Sequence, residues 1–206
     1  MSTDTAPRRS IAVAITGASG AIYAMRTIAA LLERGCHIEL VISEYGRRLL
    51  RDELGDAASI DKLTAYLVSK YGAVVRNGTM TVYSNKDLGA KIASGSQGCQ
   101  GMVVVPCSMK SLAGIAHGLS RNLVERAADV MLKERRLLVI VPRETPMSLP
   151  QLKNMVLCAE AGAMIMPAMP AFYQMPQTLD DLADFMAGKI LSALGFEHEL
   201  YPAWKG

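Results

Sequence analysis

Paired cysteines, clustered metal ligands, long apolar runs and an excess of one charge are all missing from this 206-residue sequence. The four cysteines, Cys36, Cys99, Cys107 and Cys158, form no C-x-x-C pair, so reduced, mostly buried thiols are expected rather than disulfides or zinc. His37, His117 and His198 form no cluster either, and no metal is expected. The apolar runs Met102 to Cys107 and Leu137 to Pro142 are strand-sized, and no run approaches the ~20 residues of a membrane span. Residues 1–10 are polar, carry Pro7, Arg8 and Arg9 and lack a signal-peptide core. They read as a disordered tail, and a cytoplasmic location is expected. A net charge of +3, from 22 basic and 19 acidic residues, is too slight to argue for nucleic acid or a membrane surface. Neither G-x-G-x-x-G nor the G-K-[ST] ending of a P-loop occurs in the opening motif.

What is present begins at Ile11 to Tyr23, IAVAITGASGAIY. Ile11, Val13 and Ile15 lie in a run that is apolar on both faces, which predicts a buried parallel strand. Thr16 to Gly20 is then a turn, with Gly17 and Gly20 allowing tight backbone geometry. Ala21 to Arg34 follows as a helix whose N-terminal amides face that turn. The corner fits two readings, an anion site for a phosphate or a purely structural corner. An apolar fraction of 50% with 20% charged residues predicts one soluble globular domain over residues 11–206.

Further along, His37 to Ile42 predicts a strand ending on Ser43, and Glu44 to about Leu54 a helix. Ile60 to Tyr71 has helical spacing, and Thr81 to Ser84 is a short extended piece. Ser94 to Gly101, SGSQGCQG, fits either a linker or a functional turn before the strand Met102 to Val105. Ser108 is placed to cap a helix over Met109 to His117, which would turn Ser108, Lys110 and Ser111 toward the same sheet edge. Arg121 to Arg135 is a helix on which Arg126 and Lys133, seven residues apart, share a face. Leu137 to Val141 is a buried strand, followed by Arg143-Glu144 between two prolines, either a functional pair or a solvated ion pair. Leu149 to Ala161 is helical and Ala163 to Met166 extended. Pro167 to Pro176 exposes Phe172 and Tyr173, as an aromatic cover or as plain packing. Leu179 to Leu194 closes the chain as an amphipathic helix. Strands alternating with helices imply one parallel sheet of α/β type with helices on both faces. Gly17 to Gly20, Ser43, Cys107 to Ser111, Arg143-Glu144 and Phe172-Tyr173 then share one edge and are expected to form one pocket for a phosphorylated cofactor and an anionic, partly apolar substrate.

In order, the strings TGASGA, SGS, PCSMKSLAGIAHG, NLVERAADVMLKERR, VPRETP, PAFYQMP and YPAW span nearly the whole chain. Together they resemble the UbiX/Pad-type flavin prenyltransferases, formerly described as aromatic-acid decarboxylase subunits. The resemblance implies a flavodoxin-like, Rossmann-type fold, a dodecamer with active sites at subunit junctions, and transfer of a dimethylallyl group from dimethylallyl (mono)phosphate to N5 and C6 of reduced FMN without a metal. It implies FMN contacts at Gly17, Ala18, Ser19, Ser43, Ser108, Met109, Lys110, Ser111 and Arg143. Prenyl-phosphate contacts fall to Ser94, Gly95, Arg126, Lys133, Arg143, Glu144, Tyr173 and Lys189, with Trp204 as a tail aromatic. Lys133, Glu144, Glu53 and Ser19 are the implied catalytic set. The departing phosphate would be stabilised by Lys133, Arg126, Arg143 and Lys189, and the proton transfers carried by Glu144, Glu53 and Ser19. The recipient of the product would be a UbiD-type decarboxylase.

Two positions depart from the resemblance. Lys189 stands where many relatives have arginine and loses the bidentate fork, and Leu88 stands where some members place tryptophan. Flavoprotein decarboxylases of peptidyl or pantothenoyl cysteine share the fold but need a histidine near the first helix and a P-A-S-A-N-T motif, both absent here. A non-catalytic FMN carrier would account for the phosphate cradle but not for Lys133, Arg143, Glu144 and Lys189 together.

Overall fold

The computed structural model describes residues 8–97 and 99–202. Six strands form: β1 (Ser10–Ile15), β2 (His37–Ile42), β3 (Thr79–Ser84), β4 (Gly101–Cys107), β5 (Leu137–Pro142) and β6 (Met164–Ile165). All pair in parallel, in the order β3-β2-β1-β4-β5-β6, which is the strand order of Rossmann sheets. The helices are α1 (Ala21–Glu33), α2 (Glu44–Leu54), α3 (Leu63–Tyr71), α4 (Met109–Ala116), α5 (Leu123–Lys133), α6 (Leu149–Glu160) and α7 (Leu179–Ala193).

Period-two alternation along β1 sets the layers. Ile11, Val13 and Ile15 face a core shared with Met25 and Ile28 of α1, Leu67 of α3 and Met186 of α7. Ala12 and Ala14 face the other core, with Leu112 of α4, Ala127 of α5 and Cys158 of α6. A strand buried on both faces has no polar side to show, which is why the run reads as continuously apolar. All four cysteines are buried and unpaired. No helix of the described residues is long and apolar enough to cross a membrane.

Some boundaries differ from expectation. The Ile60 to Tyr71 segment opens with a 3-10 turn, Ile60–Lys62, before α3. Helix α5 starts at Leu123 because Asn122 caps it through Glu125 N, and β6 is only two residues long. Ordered chain begins before Ile11: Ser10 opens β1, and the Arg9 guanidinium donates to Leu194 O at 2.8 Å and lies over the Phe196 ring.

At the starting end of the sheet, Glu39 is buried on β2. Its carboxylate accepts from Tyr83 Oη at 2.7 Å and Lys91 Nζ at 3.0 Å, with His37 Nε2 at 3.4 Å. Burial pushes its pKa up, but the bonds from Tyr83 and Lys91 outweigh that and hold it below the usual carboxylate range. Glu125 follows the same pattern: burial pushes up and Arg121 pulls down further. A carboxyl with a depressed folded pKa stabilises fully above its unfolded pKa of about 4.3, and that stabilisation is lost as pH falls through the folded value. The melting temperature is therefore expected to fall steeply below about pH 4, and Glu39→Gln should flatten that decline. Melts between pH 3 and 7 check this, and an unchanged acid limb in the variant would remove Glu39 from the account.

Candidate active site

The strand order reverses between β1 and β4, and ligands in open α/β sheets sit outside such a switch point. Thr16 fastens the two strand ends there. Its buried hydroxyl donates to Pro106 O at 2.9 Å and accepts from Ser108 N at 2.7 Å. Ser43 N donates to Ile15 O at 2.9 Å, which fixes the end of β2 alongside.

Two helices start at this edge. The Ser43 hydroxyl caps α2 by accepting from Gly46 N at 3.1 Å, and Ser108 caps α4 by accepting from Ser111 N at 3.3 Å. Their remaining first-turn amides have no partner inside their own helices and favour an anion. Between them lies a cavity of about 240 Å³ lined by Gly17, Ser43, Ser108, Lys110 and Ser111, together with Glu44, Tyr45, Asn85, Asn122, Val124 and Glu125. Gly17 is required by contact: a Cβ there would lie 2.6 Å from Tyr45 Cβ. The Glu125 carboxylate on the wall is neutralised by Arg121, which donates from its backbone N at 2.9 Å, Nη2 at 3.2 Å and Nε at 3.3 Å. Hydroxyls, a lysine and two helix N-termini suit a phosphate ester.

Sequence reasoning assigned no ligand role to Tyr45, Asn85, Asn122 or Glu125. Asn122 carried a signal, as a capping residue before an apolar helical stripe. Glu125 carried one as well, since its partners Arg121 and Asn122 lie four and three residues before it, whereas Asn85 carried none because its partner on α5 is set by the fold.

The TGASG turn corrects one expectation. The amides at the start of α1 do not await an external anion: Gly20 N at 3.0 Å and Ala21 N at 2.8 Å both donate to Glu53 Oε2 from α2. Glu53 thereby comes beside Ser19, whose carbonyl accepts from Arg143 Nε at 3.2 Å. Arg143 and Glu144 form no ion pair with each other; the Glu144 carboxylate accepts from Thr145 N at 3.0 Å. Ala18 is buried in the turn, and Met109 is the first residue of α4, packed against the second core.

The residues expected to meet the prenyl phosphate divide into separate places. Helix α5 runs antiparallel to the strands, so its last residue, Lys133, lies at the starting edge of the sheet with Ser94 and Gly95, just ahead of β4. Arg136 Nη2 donates to Gly95 O at 2.7 Å, and a Cβ on Gly95 would collide with the Glu134 carboxylate. A strand of six or seven residues is roughly 20 Å long, so Lys133, Ser94 and Gly95 sit about that far from the cradle of their own chain. The shared cationic face of α5 is also broken up: Arg126 pairs with Asp129 at 2.9 Å and Lys133 with Glu134 at 3.6 Å.

Tyr173 and Lys189 do come together. The Tyr173 ring meets Phe185 edge-on at 6.2 Å, and Lys189 Nζ lies 5.6 Å from the Phe185 ring and 5.9 Å from the Tyr201 ring. They belong with α7, not with the cavity wall. Arg143, Glu144, Phe172 and Tyr173 are not among the residues lining the cavity between α2 and α4, and Arg143 reaches the TGASG turn at the same sheet edge. Leu88 is half exposed, and Trp204 lies outside the described residues.

The Flavoprotein family model matches residues 1–192. Flavin prenyltransferase UbiX of Halalkalibacterium halodurans is 47% identical over 192 residues, 93% of this chain and 91% of the relative. Among solved structures, AnUbiX (PadA1) in complex with FMN and dimethylallyl pyrophosphate matches with a TM-score of 0.87 at 38% identity, covering 97% of this chain and 99% of the other. A dodecameric FMN-dependent UbiX-like decarboxylase from Escherichia coli matches with a TM-score of 0.84 at 37% identity, covering 96% and 100%. With a Rossmann-type sheet, a phosphate cradle at its switch point and full-length likeness of this degree, the chain belongs to the flavin prenyltransferase family of UbiX type.

Proposed function

We propose that this protein joins a dimethylallyl group from dimethylallyl monophosphate to N5 and C6 of reduced FMN, and that the prenylated flavin passes to a UbiD-type decarboxylase. The observation that carries the reading is the cradle of Gly17, Ser43, Ser108, Lys110 and Ser111 at the switch point, in a chain 38% identical to a protein crystallised with FMN and a prenyl donor. Reduced FMN supplies the nucleophilic N5 and C6. The chain supplies charge and proton acceptors. Breaking an allylic C–O bond leaves a phosphate anion, and Lys133, Arg126, Arg143 and Lys189 are the cations assigned to it. Tyr173 shelters the allylic cation, a cation-π contribution of about 0.5–2 kcal/mol. Closing the ring at C6 adds a proton to the dimethylallyl double bond and releases the proton carried by C6, so the net gain is C5H8. Glu53, already fixed at the turn by two amides, and Glu144 are the carboxylates assigned to receive the released proton, with Ser19 beside them.

Assembly completes the site on this reading. Leu149, Val156, Phe172, Met175 and Leu179 are each more than half exposed, apolar side chains that contact between copies would bury. A dodecamer would cover them and bring Ser94, Gly95 and Lys133 of one copy to the cradle of another. The reaction is assigned to the cytoplasm, consistent with four unpaired thiols.

The test is anaerobic incubation with reduced FMN and dimethylallyl monophosphate, followed by mass spectrometry of the released flavin. Gain of one C5H8 unit is expected. Tightly bound but unmodified FMN, with the monophosphate and the diphosphate donor alike, would establish a carrier instead.

A further inference from the structure

Asn85 and Asn122 both line the cradle cavity, and each has its side-chain oxygen committed elsewhere. The first three amides of α5 are satisfied in sequence by Asn85 O from Leu123 N at 2.9 Å, by Asn85 Oδ1 from Val124 N at 3.1 Å, and by Asn122 Oδ1 from Glu125 N at 3.1 Å. A backbone N–H can only donate, so each amide oxygen must face α5, and the orientation of each carboxamide is fixed by chemistry. What remains of each side chain is its NH2 group, a two-proton donor that makes no hydrogen bond with the described residues. Two donors of fixed carboxamide orientation thus line the same cavity as Ser108, Lys110 and Ser111.

We infer that Asn85 and Asn122 are ligand-binding residues that donate to the phosphate ester of FMN, a role beyond their capping of α5; this rests on the reading of the cavity as the FMN phosphate site. The cavity is also lined by Val124 and by the carboxylate of Glu125, which repels an anion except as Arg121 compensates it. Donors at Asn85 and Asn122, on either side of α5's first turn in the hydrogen-bond network, offset that carboxylate for a bound phosphate. Because Asn85 follows β3 while Asn122 precedes α5, bound phosphate would also tie together the outer strand and the helix that crosses beside it.

Aspartate separates the two roles. Asn85→Asp and Asn122→Asp keep the capping oxygen, which helix N-termini accept equally well, but replace the donor by a charged acceptor. Titration by flavin fluorescence should show FMN binding weakened by about tenfold or more in each variant. Riboflavin, which lacks the phosphate, should change by no more than about twofold, with the melting temperature held or raised. Asn85→Ala, which adds no charge, should weaken FMN as well while lowering the melting temperature through the lost cap. FMN affinity unchanged in folded Asn85→Asp or Asn85→Ala would overturn the inference, as would equal losses for FMN and riboflavin. Wild-type protein that binds no FMN at all would instead overturn the reading of the cavity on which it stands.

Discussion

Lys133→Met is expected to slow prenyl transfer by on the order of 10²- to 10³-fold while FMN still binds, the usual cost of deleting one fixed charge-stabilising donor from a site. The lysine lies at the starting edge of the sheet beside Glu134, and the cradle of its own chain is at the opposite edge. On the proposed function its partner cradle belongs to another copy. Gly17→Ala makes the complementary lesion, since its Cβ would lie 2.6 Å from Tyr45 Cβ and displace the cradle wall. Each variant alone should be nearly inactive. Subunits co-expressed in equal amounts should recover about a quarter of wild-type activity, because in a randomly mixed symmetric assembly half the cradles are intact and half of those meet an intact lysine. If both residues served the same chain's site, mixing would recover nothing, and a shared site would be excluded. Recovery is read from prenylated flavin per subunit, with the two variants separately tagged to verify mixing.

Gly46→Ala has the largest expected effect on stability near the site. In a helix interior alanine is favoured over glycine by about 1 kcal/mol, so propensity alone predicts stabilisation. Contact predicts the reverse. A Cβ on Gly46 would stand 2.7 Å from Ile15 O and 3.1 Å from Ile42 Cγ2. That carbonyl cannot turn aside, because it accepts from Ser43 N at 2.9 Å and ends a central strand. Overpacking against a fixed backbone costs about 1–3 kcal/mol and sometimes more. Against rigid backbone the upper part of that range applies, for a net loss of about 2 kcal/mol and a fall in melting temperature of roughly 4–8 °C for a domain of this size. FMN should bind more weakly too, because α2 carries Ser43, Glu44 and Tyr45 into the cavity. A melting temperature above wild type would mean that α2 slides without penalty and that propensity decides.

Most secondary structure was legible because it is written in short periods. The doubly apolar runs of β1, β4 and β5 read as buried strands, and Ser108 caps the helix after β4 as its position there predicts. Legibility failed where burial is one-sided. Strand β3 lies at the sheet edge with Thr79, Thr81 and Val82 exposed, so only its second half shows as extended. Loop residues of the cradle were legible through their positions after strands, since a parallel sheet gathers those ends on one edge.

By itself, then, the sequence determined the parallel α/β architecture, the edge that carries the cradle and, through motifs spread along the chain, the family. Those properties follow from local patterning that neighbouring residues enforce on one another. The tertiary structure alone decided that Glu53 occupies the amides of α1, that Asn85 caps α5 across 39 positions of chain, and that Lys133 stands about a strand's length from the cradle. Such pairings have no periodic signature, because they arise where separate elements meet once the core has closed, and the geometry of that closure sets which donor finds which acceptor.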